Sequence, residues 1–256
     1  MDSFEERIGL GAALLRESGR TAALTGAGIS TESGLSDFRS PGGVWDRHRT
    51  VTYREFVDHG DARREYWQMK RELHRELARA RPNRAHRALA ELERAGRLFC
   101  LVTQNIDGLH HDAGSSPERV IEIHGTNRRA ECIGCESTWP IGDIQERLDG
   151  GEEEPRCENC GGLIKPATIM FGQSMPKIEL ARAFECVRDC DLLLMIGSSL
   201  QVEPAASIPL AAHRGGARLI YINRTPTASD ILASVIFREP AGETMGRLLE
   251  ALGRED

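Results

Sequence analysis

The sequence lacks the features that mark several classes of protein. No run in its 256 residues approaches the roughly 18 consecutive apolar residues of a membrane span. Positive charge is not in excess, because the net charge is −6, so a dedicated nucleic-acid-binding protein is not expected. The first six residues carry acids where a secretory signal carries bases, so export is not expected either. With 40% apolar and 28% charged residues, the composition is that of a globular protein of one or two domains.

Cysteine is more informative. Four of the seven cysteines fall in two Cys-x-x-Cys pairs, an arrangement typical of a metal site in a reducing compartment. We therefore predict a cytoplasmic protein. Cys100 lies in an apolar run and is interpreted as a small core residue, whereas Cys186 and Cys190 are assigned no special role.

Short apolar runs alternate with helical patterns along the chain. The runs are four to six residues long, as expected for strands buried on both faces of a parallel sheet. They cover residues 21–25, 98–103, 120–123, 191–196, 218–222 and 234–237. Apolar residues spaced by three and four predict helices over 66–77 and 85–92, and Ser3 with Glu6 has the spacing of a capping box. The pattern predicts an α/β fold with a doubly wound, Rossmann-like parallel sheet.

Two segments interrupt this alternation, and we interpret both as insertions that build a smaller lobe. Residues 41–95 are mostly helical, and residues 126–170 have little periodicity and contain both cysteine pairs. The predicted large domain then comprises residues 1–40, 96–125 and 171–256.

Glycine and polar residues follow five of the predicted strands. They occupy positions 26–30, 104–107, 124–125, 197–199 and 223–224. Open parallel sheets bind ligands beyond the carboxyl ends of their strands, so these residues are expected to line one crevice. Gly26 and Gly28 permit the close backbone approach that a pyrophosphate needs, although a plain turn also explains them. The full dinucleotide fingerprint is absent, because Thr31 stands where its third glycine belongs.

Several short motifs occur in order between residues 20 and 245. They are Gly26-Ala27-Gly28-Ile29-Ser30, Asp37-Phe38-Arg39, residues 103–110, His124-Gly125, the two cysteine pairs, Lys165-Pro166, Phe171-Gly172, residues 197–200 and Ile222-Asn223. Taken together and in this order, these motifs resemble those of the sirtuin family of NAD-dependent protein lysine deacylases. The resemblance implies an enzyme that uses NAD to remove acetyl or longer neutral acyl groups from protein lysines, giving nicotinamide, O-acyl-ADP-ribose and free lysine.

The resemblance also implies roles for individual residues. His124 matches the general base, and Asn105 and Asp107 match the pair on the ribose and nicotinamide side, although an Asx turn would also explain that pair. The implied NAD-binding residues are Gly26, Ala27, Gly28, Ile29, Thr31, Asp37, Phe38, Arg39, Trp45, Gln104, Asn105, Ile106, Asp107, Gly197, Ser198, Ser199, Asn223, Arg224, Thr225 and Ala241. The implied substrate-binding residues are Ile169, Phe171, Gly172, Val202, Trp67 and Lys70.

The two cysteine pairs predict one structural zinc ion. Cys132, Cys135, Cys157 and Cys160 supply four thiolates, which leave no position for a catalytic water. A nucleic-acid-binding ribbon is the alternative. Eight acids against two arginines between residues 132 and 160 disfavour it, because that surface repels phosphate.

The residues expected at the acyl pocket predict a preference for neutral acyl groups. Desuccinylating sirtuins carry a Tyr-x-x-Arg pair, and Trp67 and Lys70 stand at the matching positions. Trp67 offers no hydroxyl, and Lys70 cannot form the two-pronged contact that arginine makes with carboxylate. An alternative is that Tyr66 and Met69 belong to an apolar helix face and Trp67 only packs between lobes.

Two other functions remain open. A mono-ADP-ribosyltransferase or NAD hydrolase can use the same scaffold, and a non-catalytic NAD-sensing module is an alternative of another class. We expect acyl-lysine proteins or peptides as partners, a monomer, and neither nucleic acid nor membrane.

Overall fold

The structure is a computed structural model that describes residues 3–37 and 43–253. In these ranges a strand coincides closely with each of the six apolar runs, and further strands lie within residues 125–168, where no strand was predicted. The strands are β1 (Thr21–Thr25), β2 (Leu98–Thr103), β3 (Val120–Glu122), β4 (Gly125–Cys132), β5 (Thr138–Pro140), β6 (Ile164–Thr168), β7 (Leu192–Ile196), β8 (Arg218–Ile222) and β9 (Val235–Phe237). The helices are α1 (Phe4–Glu17), α2 (Val44–Arg47), α3 (Tyr53–Asp58), α4 (Gly60–Arg79), α5 (Arg84–Arg94), α6 (Leu109–Asp112), α7 (Ile141–Asp149), α8 (Lys177–Arg188), α9 (Ile208–Arg214) and α10 (Ala241–Leu252).

Six strands form one parallel sheet in the order β3-β2-β1-β7-β8-β9. The chain order reverses beside β1, which pairs with β2 on one edge and with β7 on the other. The predicted doubly wound, Rossmann-like fold is therefore confirmed. Its topological switch point lies between β1 and β7, where such sheets bind ligands.

Both faces of this sheet are covered, which is why its strands read as nearly continuous apolar runs. One apolar core packs α1, α5 and α10 on one face, and a second packs α8 and α9 on the other. The capping box predicted for α1 is present, because the Ser3 hydroxyl accepts from the Glu6 amide and the Glu6 carboxylate accepts from the Ser3 amide.

A second, three-stranded antiparallel sheet in the order β5-β4-β6 occupies the segment that holds the cysteine pairs. An apolar core joins this sheet to α3, α4 and α7. We call residues 43–79 and 125–170 the small lobe, and the rest of the described chain the large lobe. Helix α5 was predicted to belong to the helical insertion, but its apolar face (Ala85, Leu89, Leu92) packs in the core of the large lobe.

Cys100 is buried in the core of the large lobe, as predicted. It also forms a disulfide with Cys186 of α8 across 86 positions of sequence, so Cys186 has a partner that the sequence analysis did not assign, and a disulfide is unusual in the reducing compartment predicted from the cysteine pairs. Cys190 is the buried free cysteine of the large lobe. In the ranges that the structure describes, no helix is both long and apolar enough to cross a lipid bilayer.

Candidate active site

A cavity of about 1060 Å3 opens at the carboxyl ends of the parallel strands and extends between the two lobes. Almost all of the site residues predicted from the sequence line it. They are Gly26, Ala27, Gly28, Thr31, Asp37, Trp45, Lys70, Gln104, Asn105, Ile106, His124, Ile169, Phe171, Gly172, Gly197, Ser198, Ser199, Val202, Asn223, Arg224, Thr225 and Ala241. Ile29, Trp67 and Asp107 do not line the cavity, and Phe38 and Arg39 lie outside the described residues.

The glycines after β1 are required by a contact with the strand next to it. A Cβ atom on Gly28 would lie 2.8 Å from the Cα of Gly197, and one on Gly26 would lie 2.8 Å from the Gly197 carbonyl oxygen. Gly197 itself has a φ of +64°, and its carbonyl accepts from the Gly28 amide at 2.8 Å. The chain then enters a 3₁₀ turn whose Ile29 side chain points into the core of the large lobe, which explains why Ile29 does not reach the cavity.

His124 lies between the last residue of β3 and the first of β4, and therefore between the two sheets. Its Nδ1 is 3.0 Å from the carbonyl oxygen of Gln104. A carbonyl only accepts, so Nδ1 carries the proton and the lone pair is on Nε2. The His124 carbonyl accepts from the amide of Ile169 at 2.9 Å, which fixes His124 beside the wall of the small lobe.

Asn105 and Asp107 contact one serine. Ser30 Oγ donates to Asp107 Oδ2 at 2.7 Å and accepts from Asn105 Nδ2 at 3.2 Å. Asp107 Oδ1 also accepts from the Leu109 amide, as the Asx-turn alternative predicts. Burial raises the pKa of Asp107, with the hydrogen bonds from Leu109 and Ser30 acting in the opposite direction. Asp107 thus orients Ser30 and, through it, Asn105 from behind the cavity wall.

Two histidines behind this wall are held neutral. The rings of His86 and His110 lie 4.9 Å apart, and burial lowers the pKa of His86 to about 4 and that of His110 well below its usual range. His86 Nε2 is 3.4 Å from Ser30 Oγ, and His110 Nε2 is 2.9 Å from Thr25 Oγ1. The buried His86 therefore contacts Ser30, which in turn accepts a hydrogen bond from Asn105, and His110 contacts Thr25 at the end of β1.

The remaining strand ends hold one another in place. Gln104 Nε2 donates to Ser198 Oγ at 2.8 Å, which joins the residues after β2 to those after β7. Asn223 Nδ2 donates to the Thr225 carbonyl at 2.7 Å, which orders the turn after β8. The cavity is therefore lined by a rigid rim of glycine, amide and hydroxyl groups, the kind of lining that binds phosphate and ribose.

The small lobe supplies the opposite wall. Trp45 and Phe171 meet edge to face with ring centroids 5.7 Å apart, and the Phe171 carbonyl accepts from the Tyr53 amide at 2.9 Å. Tyr66, Met69, Lys70 and Leu73 project from one face of α4 into the cavity. Trp67 is 2% exposed and is rotated by about 100° from that face, into the core of the small lobe. Its expected contact with an acyl group therefore does not fit its position, whereas that of Lys70 does.

The four predicted metal ligands come together in the small lobe. Their sulfur atoms all lie within 4.8 Å of one another, with Cys132 to Cys160 at 3.5 Å and Cys135 to Cys157 at 3.6 Å. Four thiolates at about 2.3 Å from one zinc ion lie about 3.8 Å apart, so the cluster fits a tetrahedral zinc site. Backbone amides of Gly134 and Gly162 donate to two of the sulfurs, as expected in thiolate sites.

Sequence reasoning missed part of the cavity lining. The missed residues are Glu32, Asp46, Val51, Tyr66, Met69, Leu73, Thr168, Met170, Gln173, Met175, Gln201, Glu203, Ile222, Pro226 and Glu239. Helical spacing of Tyr66, Met69 and Leu73 was a usable signal, because it placed them on one face of a helix. No such signal marked the acidic residues Glu32, Asp46, Glu203 and Glu239, because nothing in the sequence around them differs from that of solvent-exposed surface residues.

The fold and the site define an α/β enzyme with a cleft at the switch point of a parallel sheet and a second lobe, with a four-cysteine cluster suited to zinc, that supplies the opposite wall of the cleft. The chain belongs to the Sir2 family, whose model matches residues 26–204. It is 48% identical over 253 residues to an NAD-dependent protein deacetylase of Thermodesulfovibrio yellowstonii, covering 99% of this chain and 98% of that protein.

Solved structures agree with this assignment. A Sir2 protein with a p53 peptide and NAD+ aligns with a TM-score of 0.85 at 35% identity, covering 93% of this chain and 95% of that one. A Sir2 variant with a deacetylated p53 peptide and 3′-O-acetyl ADP ribose aligns with a TM-score of 0.88 at 35% identity, covering 95% and 98%.

Proposed function

We propose that this protein is an NAD-dependent protein lysine deacylase. The observation that carries the proposal is the position of His124 inside one continuous cavity, between a glycine and amide rim on the large lobe and an apolar wall on the small lobe. Membership of the Sir2 family and the names of its deacetylase relatives support it. The products are nicotinamide, O-acyl-ADP-ribose and the free lysine.

Residues in different parts of the cavity have different proposed roles. NAD, when bound, supplies a ribose carbon that is primed to lose nicotinamide. We assign the rim residues, together with Phe38 and Arg39, to NAD binding, and Asn105 to the ribose side of the reacting centre, oriented by Ser30 and Asp107. His124 accepts a ribose hydroxyl proton at Nε2, because its Nδ1 proton is held by the Gln104 carbonyl.

We assign the opposite wall to the acylated lysine. Ile169, Phe171, Gly172 and Val202 surround the entry of the lysine side chain, and α4 closes the far end. The apolar lining excludes water from the reacting atoms, which favours acyl transfer to the ribose over hydrolysis. Neutral acyl groups fit this lining.

The zinc ion is proposed to be structural. The four sulfurs form a closed set, and the cysteines are absent from the cavity lining among the described residues. We also propose that residues 41–95 and 126–170 act as insertions into a Rossmann-like domain of residues 1–40, 96–125 and 171–256, although the apolar face of α5 packs against that domain. A monomeric, cytoplasmic enzyme that binds neither nucleic acid nor membrane completes the proposal.

One experiment separates this function from its rivals. Purified protein is incubated with NAD and a panel of acyl-lysine peptides, and all products are followed by mass spectrometry. We expect nicotinamide, deacylated peptide and O-acyl-ADP-ribose in equal amounts. Free ADP-ribose without deacylated peptide would instead identify an NAD hydrolase, ADP-ribosylated protein would identify a transferase, and NAD binding without any turnover would identify a sensing module.

A further inference from the structure

A buried lysine lies beside the wall assigned to the acylated lysine of the substrate. Lys165 of the Lys165-Pro166 motif is the second residue of β6 and is 0% exposed. Its side chain does not line the cavity and has no part in the proposed reaction. Thr168, the last residue of β6, and Ile169 after it both line the cavity. The charge of Lys165 is therefore buried three residues before this wall.

The ammonium of Lys165 has one partner for each of its three N–H groups. Nζ lies 2.6 Å from Glu131 Oε1 and donates to the carbonyls of Pro166 at 3.1 Å and of Thr168 at 3.0 Å. A neutral amine has only two N–H groups, so the three acceptors match the charged form. Because the charge is paired and fully hydrogen-bonded, its burial is tolerated. Lys165 is therefore held in place as a hydrogen-bond donor.

The sheet is irregular at the carbonyls to which Lys165 donates. Strand β6 lies at the edge of its sheet and pairs with β4. Gly125 pairs with Thr168 and Ala130 with Pro166, so five residue steps along β4 match two along β6. Such a mismatch interrupts the regular ladder of hydrogen bonds. The ammonium donates to the carbonyls at both ends of this stretch of β6 and so supplies hydrogen bonds where the ladder is interrupted.

The extra residues of β4 contact the loop after β2. The Asn127 amide donates to the carbonyl of Ile106 at 2.9 Å, and Ile106 stands between Asn105 and Asp107. Strand β4 therefore leaves the regular ladder at the point where it contacts the candidate active site. The bonds from Lys165 hold β6 on the other side of the same irregularity.

The peptide unit between Thr168 and Ile169 is held at both of its polar groups. Its carbonyl accepts from Lys165 Nζ at 3.0 Å, and its N–H donates to the His124 carbonyl at 2.9 Å. A peptide unit is planar, so these two bonds fix its orientation. The directions in which Thr168 and Ile169 meet the cavity depend on that orientation.

We propose that Glu131 and Lys165 are positioning residues for substrate binding: they hold the peptide unit between Thr168 and Ile169 in the orientation that forms the wall for the acylated lysine. The inference rests on the proposed deacylase function and extends it to two residues that touch no reacting atom. Without the ammonium, the peptide unit is held at one group only, and the wall is formed in a fraction of the molecules. Peptide binding is weakened by that fraction, whereas a bound peptide completes the wall and reacts at the usual rate.

The test separates KM from kcat. Wild type and Lys165→Met are compared on an acetyl-lysine peptide at saturating NAD. The KM for the peptide should rise about tenfold, because hydrogen bonds from a buried charged group are lost. The kcat and the Kd for NAD should stay near their wild-type values, a pattern that identifies lost binding. A role in stability alone would lower kcat at constant KM, because unfolded enzyme only reduces the active concentration, and that result would overturn the inference.

Arg63→Met is the matched control. Arg63 makes the same kinds of contact in the same lobe: its Nε lies 2.7 Å from Glu154 Oε2, and its guanidinium donates to the carbonyls of Phe56 at 3.0 Å and of Val57 at 2.9 Å. It does not line the cavity or contact the wall. The variant should have a lower Tm and the KM of the wild type for the peptide. An equal rise in KM in Arg63→Met and Lys165→Met would overturn the inference, because general loosening of the small lobe would then explain both.

Hydrogen exchange of the free protein gives a readout that does not depend on turnover. The Ile169 amide should exchange faster in Lys165→Met than in the wild type and in Arg63→Met, because its peptide unit is held at one group only. Equal protection of this amide in the three proteins would overturn the inference.

Glu131→Gln covers the case in which Lys165→Met does not fold. The Glu131 side chain is 35% exposed, so the change is made at a partly solvated position. It removes the opposite charge but leaves a group that accepts from Nζ, so the KM for the peptide should rise by a smaller factor. An unchanged KM in Glu131→Gln would overturn the inference, whereas a wild type that removes the acetyl group from no peptide would overturn the proposed function itself.

Discussion

The two lobes are stabilised by different means. In the large lobe a six-stranded sheet buries both faces under helices, and its apolar cores consist almost entirely of aliphatic side chains. In the small lobe a three-stranded sheet is joined to α3, α4 and α7 by a smaller core that includes Cys132 and Cys157 of the metal cluster. Apolar burial and the Cys100–Cys186 disulfide stabilise the first lobe, whereas the second combines a smaller core with the metal cluster and with ion pairs between α4 and the cysteine loops.

The largest expected effect is on the small lobe alone. Cys157→Ala removes one zinc ligand, and structural zinc contributes an apparent binding free energy of about 10–16 kcal/mol in small domains. We expect loss of zinc, of amide-exchange protection across β4 and β6, and of peptide binding. Protection of β1, β2, β7 and β8 should persist. Metal analysis measures the zinc content, and hydrogen-exchange mass spectrometry measures the amide protection of both lobes in the same sample.

Cys190→Ala is the matched control for the zinc prediction. It removes a buried thiol from the core of the large lobe and should leave the metal content unchanged. Unaltered exchange protection of the small lobe in a zinc-free Cys157→Ala protein would contradict the structural role of zinc.

The next effect concerns the residue placed between the lobes. His124→Ala should lower kcat/KM for deacylation by about 10²–10⁴-fold, the usual range for loss of a general base. Nicotinamide exchange should fall less, because departure of nicotinamide precedes the proton transfer. The Tm should stay close to that of the wild type, because the His124 side chain is only half-buried.

His213→Ala provides the control for the base. His213 is an exposed histidine in the last turn of α9, away from the cavity lining, and its removal should leave kcat/KM unchanged. Near-normal deacylation by a folded His124→Ala protein would remove His124 from the mechanism.

The stability of the large lobe is expected to fall at acid pH. Burial lowers the pKa of His86 to about 4, below its unfolded value of about 6.5. Above pH 6.5 His86 is neutral in both the folded and the unfolded state, so its protonation takes nothing from the free energy of unfolding. As the pH falls toward 4, the unfolded state binds the proton first, and about 3 kcal/mol is lost.

The variant His86→Gln measures the part of the free energy of unfolding that is lost through protonation of His86. The free energies of unfolding of the wild type and of His86→Gln, measured in urea, should converge as the pH falls from 7 to 5. His213→Gln should show the slope of the wild type. Because the small lobe is identical in these proteins, acid release of zinc cancels in the comparison, and parallel curves for wild type and His86→Gln would refute the assignment.

The smallest effect distinguishes ion pairs in the two lobes. Arg63 Nε of α4 lies 2.7 Å from Glu154 Oε2 in the small lobe, and both side chains are largely covered, at 12% and 20% exposure. Arg247 and Glu5 form a more exposed pair in the large lobe, at 34% and 63% exposure. Double-mutant cycles (Arg63→Met with Glu154→Gln, and Arg247→Met with Glu5→Gln) should give about 1 kcal/mol for the first pair and at most a few tenths for the second. Equal couplings would contradict the view that ion pairs contribute more to the small lobe.

The strands of the large lobe could be predicted from the sequence because each of them depends on a short local pattern that recurs along the chain. A strand buried on both faces is a continuous apolar run, so residues 98–103 and 218–222 were placed to the residue. The small lobe was less readable. Strand β4 has eight residues, but buried and exposed positions do not alternate regularly along it, and β5 has only three residues, so neither gives a clear strand pattern in the sequence.

Side-chain direction and distant pairing were beyond the sequence. Whether Trp67 or Tyr66 faces the cavity depends on the rotation of α4, which only the packing of the small lobe decides. The Cys100 and Cys186 pair spans 86 positions and connects a strand to a helix, so no local pattern announces it. Asp107 follows Asn105 by two positions, but the sequence does not show that Asp107 lies behind the cavity wall, where it accepts a hydrogen bond from Ser30.

The contact between Gly28 and Gly197 has a consequence for how the protein is made. Thr21 of β1 pairs with Leu192 of β7, so the switch-point crevice joins parts of the chain that leave the ribosome far apart in time. A nascent chain that ends before β7 has β1, β2 and β3 but no partner for the second edge of β1. We therefore expect dinucleotide to bind only after β7 and β8 have been synthesised, and its binding then selects the completed chain by mass action.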